Sequence, residues 1–366
     1  MAAVAGNREI ELLNPAPTLN IELDGIATNV QNCLEACRKA KVRCTAVVKS
    51  AYAREEIVKT FRDAGINDFW IASEYARSSV SWKKTDNVGF IGLTDPASAC
   101  QIVNCVNTSL HTSLETITAV SKAAESLNQK HGVFLSVDVG DLRDGWTPDD
   151  IEEIAAQVED PLTLCGLMMN FGCCEMAMPS DNFFDWLTKY SADLNSVMGF
   201  EIQVSIGGSV VLDWVSERSI PNCVSEIRLG EALILGRNPN PTAANSKVGV
   251  DAIYLSSTVV HVSKKSPNKG CILPFYRRQS PENRNHLQER VIINVGTVHT
   301  DPNGILTDAN GRKVDIISYC GEYTVIGTEP GLYKVGDQVN FRLSYIAMAR
   351  SFSSNLVEEM YHSLGS

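Results

Sequence analysis

The sequence predicts a (β/α)₈ barrel of the TIM type followed by a smaller, mainly β domain. Eight short apolar runs recur between Cys44 and Leu229, with stretches of helical character between them. Strands that are buried on both faces read as continuous apolar runs, and eight strand–helix units in about 200 residues suit a closed parallel barrel. After Arg237 the pattern changes to short alternating segments separated by turns. An open, doubly wound sheet is the alternative arrangement for the first region.

The predicted elements follow one another in a regular order. An alternating segment at residues 19–23 leads into an amphipathic helix that begins near Ile26. The predicted barrel strands lie at residues 44–49, 69–73, 88–93, 108–112, 133–139, 162–170, 202–206 and 225–229. The helices predicted between them include 54–64, 114–127, 149–158 and 181–197, several of which open with Ser, Thr or Asp in a capping position.

The run Asn238-Pro239-Asn240-Pro241-Thr242 cannot continue a helix and marks a domain boundary. Beyond it, short β-branched segments predict strands at 252–262, 290–295, 313–318, 323–327 and 338–344. We therefore divide the chain into an N-terminal arm (1–17), a barrel (18–238) and a C-terminal β domain (239–366).

Composition excludes several classes of function. A formal charge of −11 disfavours a nucleic-acid surface, and no apolar run approaches the roughly 20 residues of a membrane helix. The first eleven residues lack the apolar core of a signal peptide, so a cytoplasmic location is expected. Eleven cysteines occur without a CxxC pair, which favours buried thiols in a reducing compartment over disulfides, and the six scattered histidines predict no metal site.

Lys49 closes the first predicted barrel strand, Thr45-Ala46-Val47-Val48. In a barrel the active site lies at the carboxyl ends of the strands, so a polar residue that ends an apolar run is a candidate for chemistry. Desolvation there would favour the neutral amine, which is the form that attacks an aldehyde. A solvated strand end is the alternative interpretation of a single lysine.

A dense polar cluster follows the fifth predicted barrel strand, where Asp138, Asp141, Arg143 and Asp144 fall within seven residues of one another. The planar guanidinium of Arg143 suits a carboxylate or a phenolic oxygen. An ion pair of Arg143 with Asp141 or Asp144 inside the loop is equally consistent with the sequence.

Glycines end the seventh and eighth predicted strands, at Gly207-Gly208 and at Gly230. Backbone N–H groups exposed near a helix N-terminus bind phosphate, and many barrels place a phosphate site after these two strands. Tight turns also require glycine, so the glycines alone are weak evidence. Combined with a lysine able to form a Schiff base and a nearby arginine, they predict a site for pyridoxal 5'-phosphate.

At these residues the sequence resembles the alanine racemase family of fold type III pyridoxal-phosphate enzymes, and most closely its ornithine racemase-like branch. The resemblance covers nearly the whole chain. Its matching stretches are Ala46-Val47-Val48-Lys49 with Tyr52, Val137 to Gly145, Asn170 to Cys173, Gly207-Gly208, and Ile227 to Arg237.

The resemblance implies a role for each matching residue. Lys49 would carry the cofactor as a Schiff base and act as one catalytic base. Arg228 would face the pyridine nitrogen and keep it unprotonated, because a guanidinium does not readily release a proton. Arg143 would hold the phenolic oxygen of the cofactor or the substrate carboxylate. The remaining cofactor-binding positions implied are Tyr52, Asn170, Gly208, Ser209, Gly230, Glu231 and Tyr345.

Racemisation also requires an acid on the opposite face of Cα. In this family a tyrosine from the β domain of the partner subunit takes that role, and the resemblance makes Tyr276 the candidate. Glu322 and Tyr323 stand where the family places substrate contacts from the second subunit. Packing roles for Tyr276 and Tyr345, and a solvated position for Glu322, are the alternatives.

Three departures separate the chain from alanine racemase proper. The spacing from Lys49 to Tyr52 is one residue shorter, Asn170 replaces a histidine, and Ser209-Val210 replaces an Asn-Ser pair. The expected function is therefore a homodimeric racemase for ornithine, another basic or a small amino acid. A fold type III decarboxylase or D-amino-acid dehydratase or aldolase, and a non-catalytic pyridoxal-phosphate-binding protein, are the competing interpretations.

Overall fold

The computed structural model describes residues 15–174, 178–180, 182–217, 220–240, 248–264 and 289–363. The chain forms two compact units that divide between Ile21 and Glu22 and again between Ala252 and Ile253. We call the unit that contains residues 22–252 the barrel unit, and the unit that contains residues 253–360 the β unit.

The strands are numbered in chain order. They are β1 (Thr18–Glu22), β2 (Arg43–Val47), β3 (Asp68–Ile71), β4 (Asn87–Phe90), β5 (Thr108–His111), β6 (His131–Val137), β7 (Leu162–Asn170), β8 (Gln203–Gly207), β9 (Val224–Leu229), β10 (Ile253–Lys264), β11 (Glu289–Ile293), β12 (Ile305–Asp308), β13 (Asp315–Tyr319), β14 (Thr324–Thr328), β15 (Gln338–Leu343) and β16 (Glu358–His362).

The helices are numbered in the same way. They are α1 (Leu23–Lys39), α2 (Glu55–Asp63), α3 (Glu74–Ser78), α4 (Ala99–Cys105), α5 (Leu114–Ser126), α6 (Ile151–Ala155), α7 (Phe183–Met198), α8 (Leu212–Glu217), α9 (Glu231–Leu235) and α10 (Tyr345–Ser353).

Strands β2 to β9 form a closed parallel barrel, which confirms the predicted fold class. Its interior is filled by Trp70 on β3, Leu110 on β5, Phe134 on β6 and Met168 on β7. The rings of Trp70 and Phe134 meet edge to face with centroids 5.5 Å apart. A Cβ at Gly89 would lie 2.2 Å from the Trp70 ring, so this position must be glycine for the indole to fill the barrel.

The β unit is an antiparallel sheet in the order β12-β15-β10-β11-β14-β13. Among the described residues it contains β12, β16 and α10, which the sequence analysis does not predict. The hydroxyl of Ser344 accepts a hydrogen bond from Ala347 N and so begins α10.

Two segments differ from the predicted division of the chain. Strand β1, which the sequence analysis puts in the barrel domain, pairs antiparallel with β10 in the β unit, with Thr18 opposite Ser256. Residues up to Ala252 belong to the barrel unit, because Asn29 on α1 exchanges hydrogen bonds with the N–H and C=O of Val250. Both differences arise from partners more than 200 residues apart, which local patterns do not encode.

The described helices are all too short or too polar to cross a lipid bilayer. The cysteines within the described ranges are all free thiols.

Candidate functional site

The carboxyl ends of five adjacent barrel strands carry the predicted cofactor-binding residues of the barrel unit. Strands β6, β7, β8, β9 and β2 are consecutive neighbours around the barrel. Asn170 at the end of β7 pairs with Gly207 on β8, and Gly207 pairs with Arg228 on β9. Ala46 on β2 pairs with Leu229 on β9. The barrel therefore gathers on one rim residues that lie up to about 180 positions apart in the chain.

Lys49 lies in the turn after β2, and its side chain is exposed. The sequence analysis expects the amine of Lys49 to be desolvated. The described residues leave it in contact with solvent. Within the same turn Tyr52 and Ala53 have φ angles of 48° and 49°, in the left-handed region that residues other than glycine adopt uncommonly. The turn is closed by a hydrogen bond from Ala53 N to Val48 O. Such backbone strain tends to occur at functional positions.

The guanidinium of Arg228 lies buried in the barrel and contacts two neighbouring strands. One Nη group donates to Met169 O at 3.0 Å and the other donates to Ser205 Oγ. The Ser205 hydroxyl in turn donates to the buried carboxylate of Glu226. The second oxygen of Glu226 lies 3.7 Å from Arg43. Arg228 is therefore fixed in position by hydrogen bonds before any ligand binds.

The charge of Arg228 is set by two opposing effects. Burial lowers the pKa of this guanidinium to about 10, and the nearby carboxylate of Glu226 partly offsets the decrease. Arg228 consequently remains protonated at neutral pH.

Glycine is required at positions 207 and 208. A Cβ at Gly207 would lie 2.3 Å from an Nη of Arg228, and a Cβ at Gly208 would lie 2.3 Å from Phe171 O. Gly208 also has a φ of 105°, which favours glycine. The backbone at Gly207 therefore lies closer to the Arg228 guanidinium, and that at Gly208 closer to Phe171 O, than any residue with a Cβ would allow.

Ser209 connects the loops that follow β8 and β9. Its buried hydroxyl accepts a hydrogen bond from Ala232 N at 3.0 Å, in the first turn of α9. Gly230 precedes this helix and Glu231 is its first residue. The first N–H groups of a helix lack intrahelical acceptors, so this rim carries backbone donors suited to an anion. Burial raises the pKa of Glu231, and Arg237 opposes the increase.

Asp141 organises the loop after β6. Its side chain accepts hydrogen bonds from Asn170 Nδ2 at 3.1 Å and from the backbone N–H groups of Cys173 and Cys174. The Nε of Arg143 donates to Asp144 at 2.6 Å, which is one of the two loop ion pairs considered from the sequence. Since only Nε faces Asp144, the Nη edge of Arg143 is left for a ligand.

The candidate residues of the β unit fall at two places. Glu322 and Tyr323 form the turn between β13 and β14, and both side chains are exposed. The buried His299 lies 3.9 Å from Glu322, and its Nδ1 accepts a hydrogen bond from Gly296 N. Tyr345 is the first residue of α10. Tyr276 lies outside the described residues.

The sequence analysis does not identify Ser205, Glu226 or His299 as site residues. A signal for Glu226 exists, because two charged residues at positions 226 and 228 of an apolar strand point to the same side of the sheet. Charged residues are rarely buried without a partner, so that spacing indicates a buried pair. Ser205 and His299 carry no comparable local signal.

The fold and the site define a barrel enzyme whose chemistry takes place at the carboxyl ends of its strands. Residues 21–238 match the family model described as alanine racemase, N-terminal domain, and the chain belongs to that family.

Several proteins of known name are similar to this chain over nearly its whole length. The ornithine racemase of Acetoanaerobium sticklandii is 22% identical over 361 residues, covering 94% of this chain and 99% of that protein. The lysine racemase of Thermotoga maritima is 25% identical over 354 residues, covering 94% and 98%. The alanine racemase of Bartonella henselae, solved with covalently bound pyridoxal phosphate, is 14% identical with a TM-score of 0.68, covering 95% and 100%. The last similarity shows the fold alone.

Proposed function

We propose that this protein is a pyridoxal-phosphate-dependent racemase that interconverts the L and D forms of a basic amino acid of the ornithine and lysine type. The observation that carries the proposal is that an ornithine racemase and a lysine racemase each match 94% of this chain. The arrangement of Lys49, Arg228 and the glycine rim supports it, because these are the parts that such a reaction requires.

The described residues fit the cofactor. Lys49 presents an exposed amine for covalent attachment. Gly208 packs against Phe171 O more closely than a Cβ would allow, and α9 begins on the neighbouring loop, so backbone N–H groups at this rim would be the donors to the phosphate. Ser209, Gly230, Glu231 and Tyr52 would complete the phosphate contacts, and Tyr345 is the further contact that the resemblance implies. Asn170 and the Nη edge of Arg143 would face the ring.

When bound, pyridoxal phosphate supplies an electron sink for the pair of electrons left at Cα. Lys49 would remove the proton from one face of Cα, and Tyr276 of a second copy of the chain would deliver a proton to the other face. Arg228 holds its own proton at neutral pH, since the pKa is about 10, and so would not protonate the ring nitrogen that it faces. This limits delocalisation into the ring and disfavours transamination.

Substrate contacts would come from the barrel of one copy of the chain and from the β unit of a second copy. The Nη edge of Arg143 suits a carboxylate. Glu322 of a second copy of the chain, with Tyr323 beside it, would accept hydrogen bonds from the side-chain ammonium of ornithine or lysine, a group that alanine lacks.

A homodimer in the cytoplasm is part of the proposal. Two-base chemistry across a subunit interface requires a second copy, because Tyr276 would act on the site of its partner. The free thiols among the described residues support a reducing compartment.

The test is chiral chromatography of L-ornithine, L-lysine and L-alanine after incubation with the purified protein and pyridoxal phosphate. We expect D-ornithine or D-lysine to form faster than D-alanine. Lys49→Ala should abolish racemisation and the near-visible absorbance of the bound cofactor. Absence of any D product from all three amino acids, with cofactor bound, would contradict the proposal.

The matched variant for the opposing acid is Tyr276→Phe, with Tyr190→Phe as its control. Tyr190 lies on α7, its hydroxyl donates to Pro148 O, and it is not one of the predicted site residues. We expect Tyr276→Phe to lower kcat by at least about 100-fold, as loss of a general acid does, while Tyr190→Phe leaves it unchanged. Equal rates for the two variants would mean that the acid lies elsewhere.

A further inference from the structure

The carboxylate of Asp141 is buried at the rim of the barrel and has no part in the proposed reaction. It lies in the loop after β6 and is 5% exposed. Arg143 in the same loop donates Nε to Asp144 at 2.6 Å, and among the described residues no hydrogen bond joins Arg143 to Asp141. A buried carboxylate has to be stabilised by hydrogen-bond donors. Those of Asp141 come from the end of β7 and from the loop that follows it.

The two oxygens of Asp141 accept from different partners. Oδ1 accepts from Cys173 N at 3.1 Å and from Cys174 N at 3.0 Å. Oδ2 accepts from Asn170 Nδ2 at 3.1 Å. One oxygen therefore fixes the backbone after β7, and the other fixes a single side chain. Three N–H donors around one group suit the ionised carboxylate, which accepts hydrogen bonds and donates none.

The contact to Oδ2 decides which end of the Asn170 amide faces Arg228. The oxygen and the NH₂ group of an asparagine occupy nearly the same space, so their hydrogen-bond partners fix the orientation. Because Asp141 only accepts, Asn170 has to turn Nδ2 toward it and Oδ1 away from it. Oδ1 then lies beside Gly207, where a Cβ would be 2.9 Å from this oxygen and 2.3 Å from an Nη of Arg228. Since Oδ1 accepts no hydrogen bond from the described residues, Asn170 presents an available acceptor next to the guanidinium.

The orientation matters because Arg228 is a buried cation. An amide oxygen carries the negative end of the amide dipole, and the NH₂ group carries the positive end. The orientation that Asp141 selects puts the negative end beside the guanidinium, which belongs to a residue only 2% exposed. The reverse orientation would set two N–H groups against the charge in an interior of low dielectric, where such repulsion is strongest.

We propose that Asp141 is a positioning residue of the cofactor site, which it serves by holding the oxygen of the Asn170 amide toward Arg228. This role rests on the proposed function, because Asn170 and Arg228 contact a cofactor only if the protein binds pyridoxal phosphate. Asp141 acts through Asn170 and takes no part in proton transfer. The signature of this role is that the carboxylate and the amide can exchange positions, provided that one of the two side chains still donates to the other.

Asp141→Asn turns the Asn170 amide over without releasing the loop. The oxygen that the substituted side chain retains still accepts from Cys173 N and Cys174 N, while its NH₂ group meets Asn170 where an acceptor stood. Asn170 then accepts at this contact, so its own NH₂ group faces Arg228. We expect the affinity for pyridoxal phosphate to fall about tenfold and the absorbance band of the bound cofactor to shift in wavelength, measured by titrating the cofactor-free protein.

The double variant Asp141→Asn/Asn170→Asp exchanges the two groups at unchanged net charge. Its amide at 141 donates to its carboxylate at 170, whose second oxygen faces Arg228 as the amide oxygen does in the wild type. We expect the affinity to return to within about threefold of the wild type, and the band to return to its original wavelength. Asn170→Asp alone should weaken the affinity, because two carboxylates then face each other.

Asp138→Asn is the matched control in the same loop. One oxygen of Asp138 accepts from Gly140 N at 2.9 Å and from Leu142 N at 3.1 Å, and no side-chain amide of the described residues bonds to it. The substitution is chemically the same, yet it should leave the affinity and the band unchanged, because an oxygen remains for both N–H groups.

The pairing is also measured without cofactor, by urea denaturation of the cofactor-free proteins. Asp141→Asn and Asn170→Asp should each be less stable than the wild type, and the double variant should be more stable than the sum of their losses predicts. Independent effects of the two substitutions would mean that Asp141 and Asn170 are not paired.

Wild-type affinity and wavelength in Asp141→Asn would overturn the proposal, and so would a double variant that binds cofactor no better than Asp141→Asn. Either result, with cofactor bound by the wild type, would remove the role of Asp141 and leave the proposed function intact. If the wild type bound no pyridoxal phosphate, the proposed function would fail and the role of Asp141 would fail with it.

Discussion

At the scale of single residues, Arg228 shows how hydrogen bonds from neighbouring strands hold a buried charge in place. Its hydrogen bonds to Met169 O and Ser205 tie it to β7 and β8, and Ser205 passes the contact on to Glu226. Lys49 and Arg228 are predictable from the sequence because each stands at a strand end or in a motif. The contact through Ser205 is not predictable, since it depends on the register of β8 against β9.

Glu226→Gln should lower the pKa of Arg228 further, because Glu226 is the nearby charge that raises it. The alkaline limb of the kcat/KM profile should therefore move to lower pH. Loss of one partner from a buried charge network should also reduce the free energy of unfolding by roughly 3 kcal/mol, measured by urea denaturation. The exposed Glu358→Gln should change neither quantity, and an unshifted alkaline limb in Glu226→Gln would rule out this role.

Gly207→Ala tests the close approach of backbone to the guanidinium. The added Cβ would lie 2.3 Å from an Nη of Arg228, so the guanidinium must shift. We expect a stability loss of about 1 to 3 kcal/mol and a fall in kcat/KM of at least about tenfold. In an Arg228→Lys background, Gly207→Ala should reduce the free energy of unfolding by a smaller amount, because the Nη group that clashes with the new Cβ is absent. Additive stability losses in this double-mutant cycle would contradict the argument.

At the scale of elements, the first turn of the short helix α9 is hydrogen-bonded to a residue from a different loop of the barrel. Ser209, after β8, accepts from Ala232 N and so joins the two loops proposed to bind phosphate. The glycines at this rim are visible in the sequence. The hydrogen bond from Ala232 N to Ser209 is not visible there, because Ser209 lies 23 residues before its partner, far outside the usual N-cap spacing.

Ser209→Ala should destabilise the protein by about 1 kcal/mol and weaken pyridoxal-phosphate affinity several-fold, as judged by the absorbance of the bound cofactor. Ser113→Ala is the matched control. Ser113 caps α5 by accepting from Thr116 N, after a strand that carries no predicted site residue. It should show a similar loss of stability with unchanged cofactor affinity. Equal cofactor affinities in the two variants would mean that Ser209 does not contribute to phosphate binding.

At the scale of the whole molecule, a buried histidine pair makes stability depend on pH. Thr116 Oγ1 donates to Ser113 O, so it accepts from His111 Nδ1. The Nε2 of His111 therefore accepts from Ser109, and Ser109 accepts from His131 Nε2. Both rings are neutral in this arrangement. Burial lowers the pKa of His111 to about 3 and that of His131 to about 4.

Because both folded-state pKa values lie below the unfolded value of 6.5, the unfolded chain binds protons first as the pH falls. The free energy of unfolding should be highest above pH 6.5 and should decline between about pH 6.5 and pH 4, by up to about 1.4 kcal/mol per pH unit for each histidine. Urea denaturation across this range measures the decline.

His131→Gln should make that decline shallower, since one of the two titrating groups is gone. The exposed His261→Gln on β10 should keep the slope of the wild type. If the curves of the wild type and His131→Gln were parallel, the histidine pair would not be the source of the acid sensitivity.

The sequence by itself determined the eight strand–helix units, the position of Lys49 after the first barrel strand, and the glycines of the proposed phosphate rim. These features depend on local burial patterns and turn chemistry, which are written in consecutive residues. Only the tertiary structure decided that β1 belongs with β10, that Ser205 links Glu226 to Arg228, and that Ser109 joins His111 to His131. Each of these depends on which distant segments meet when the sheets close, and the free energy of those pairings is not a property of any one segment.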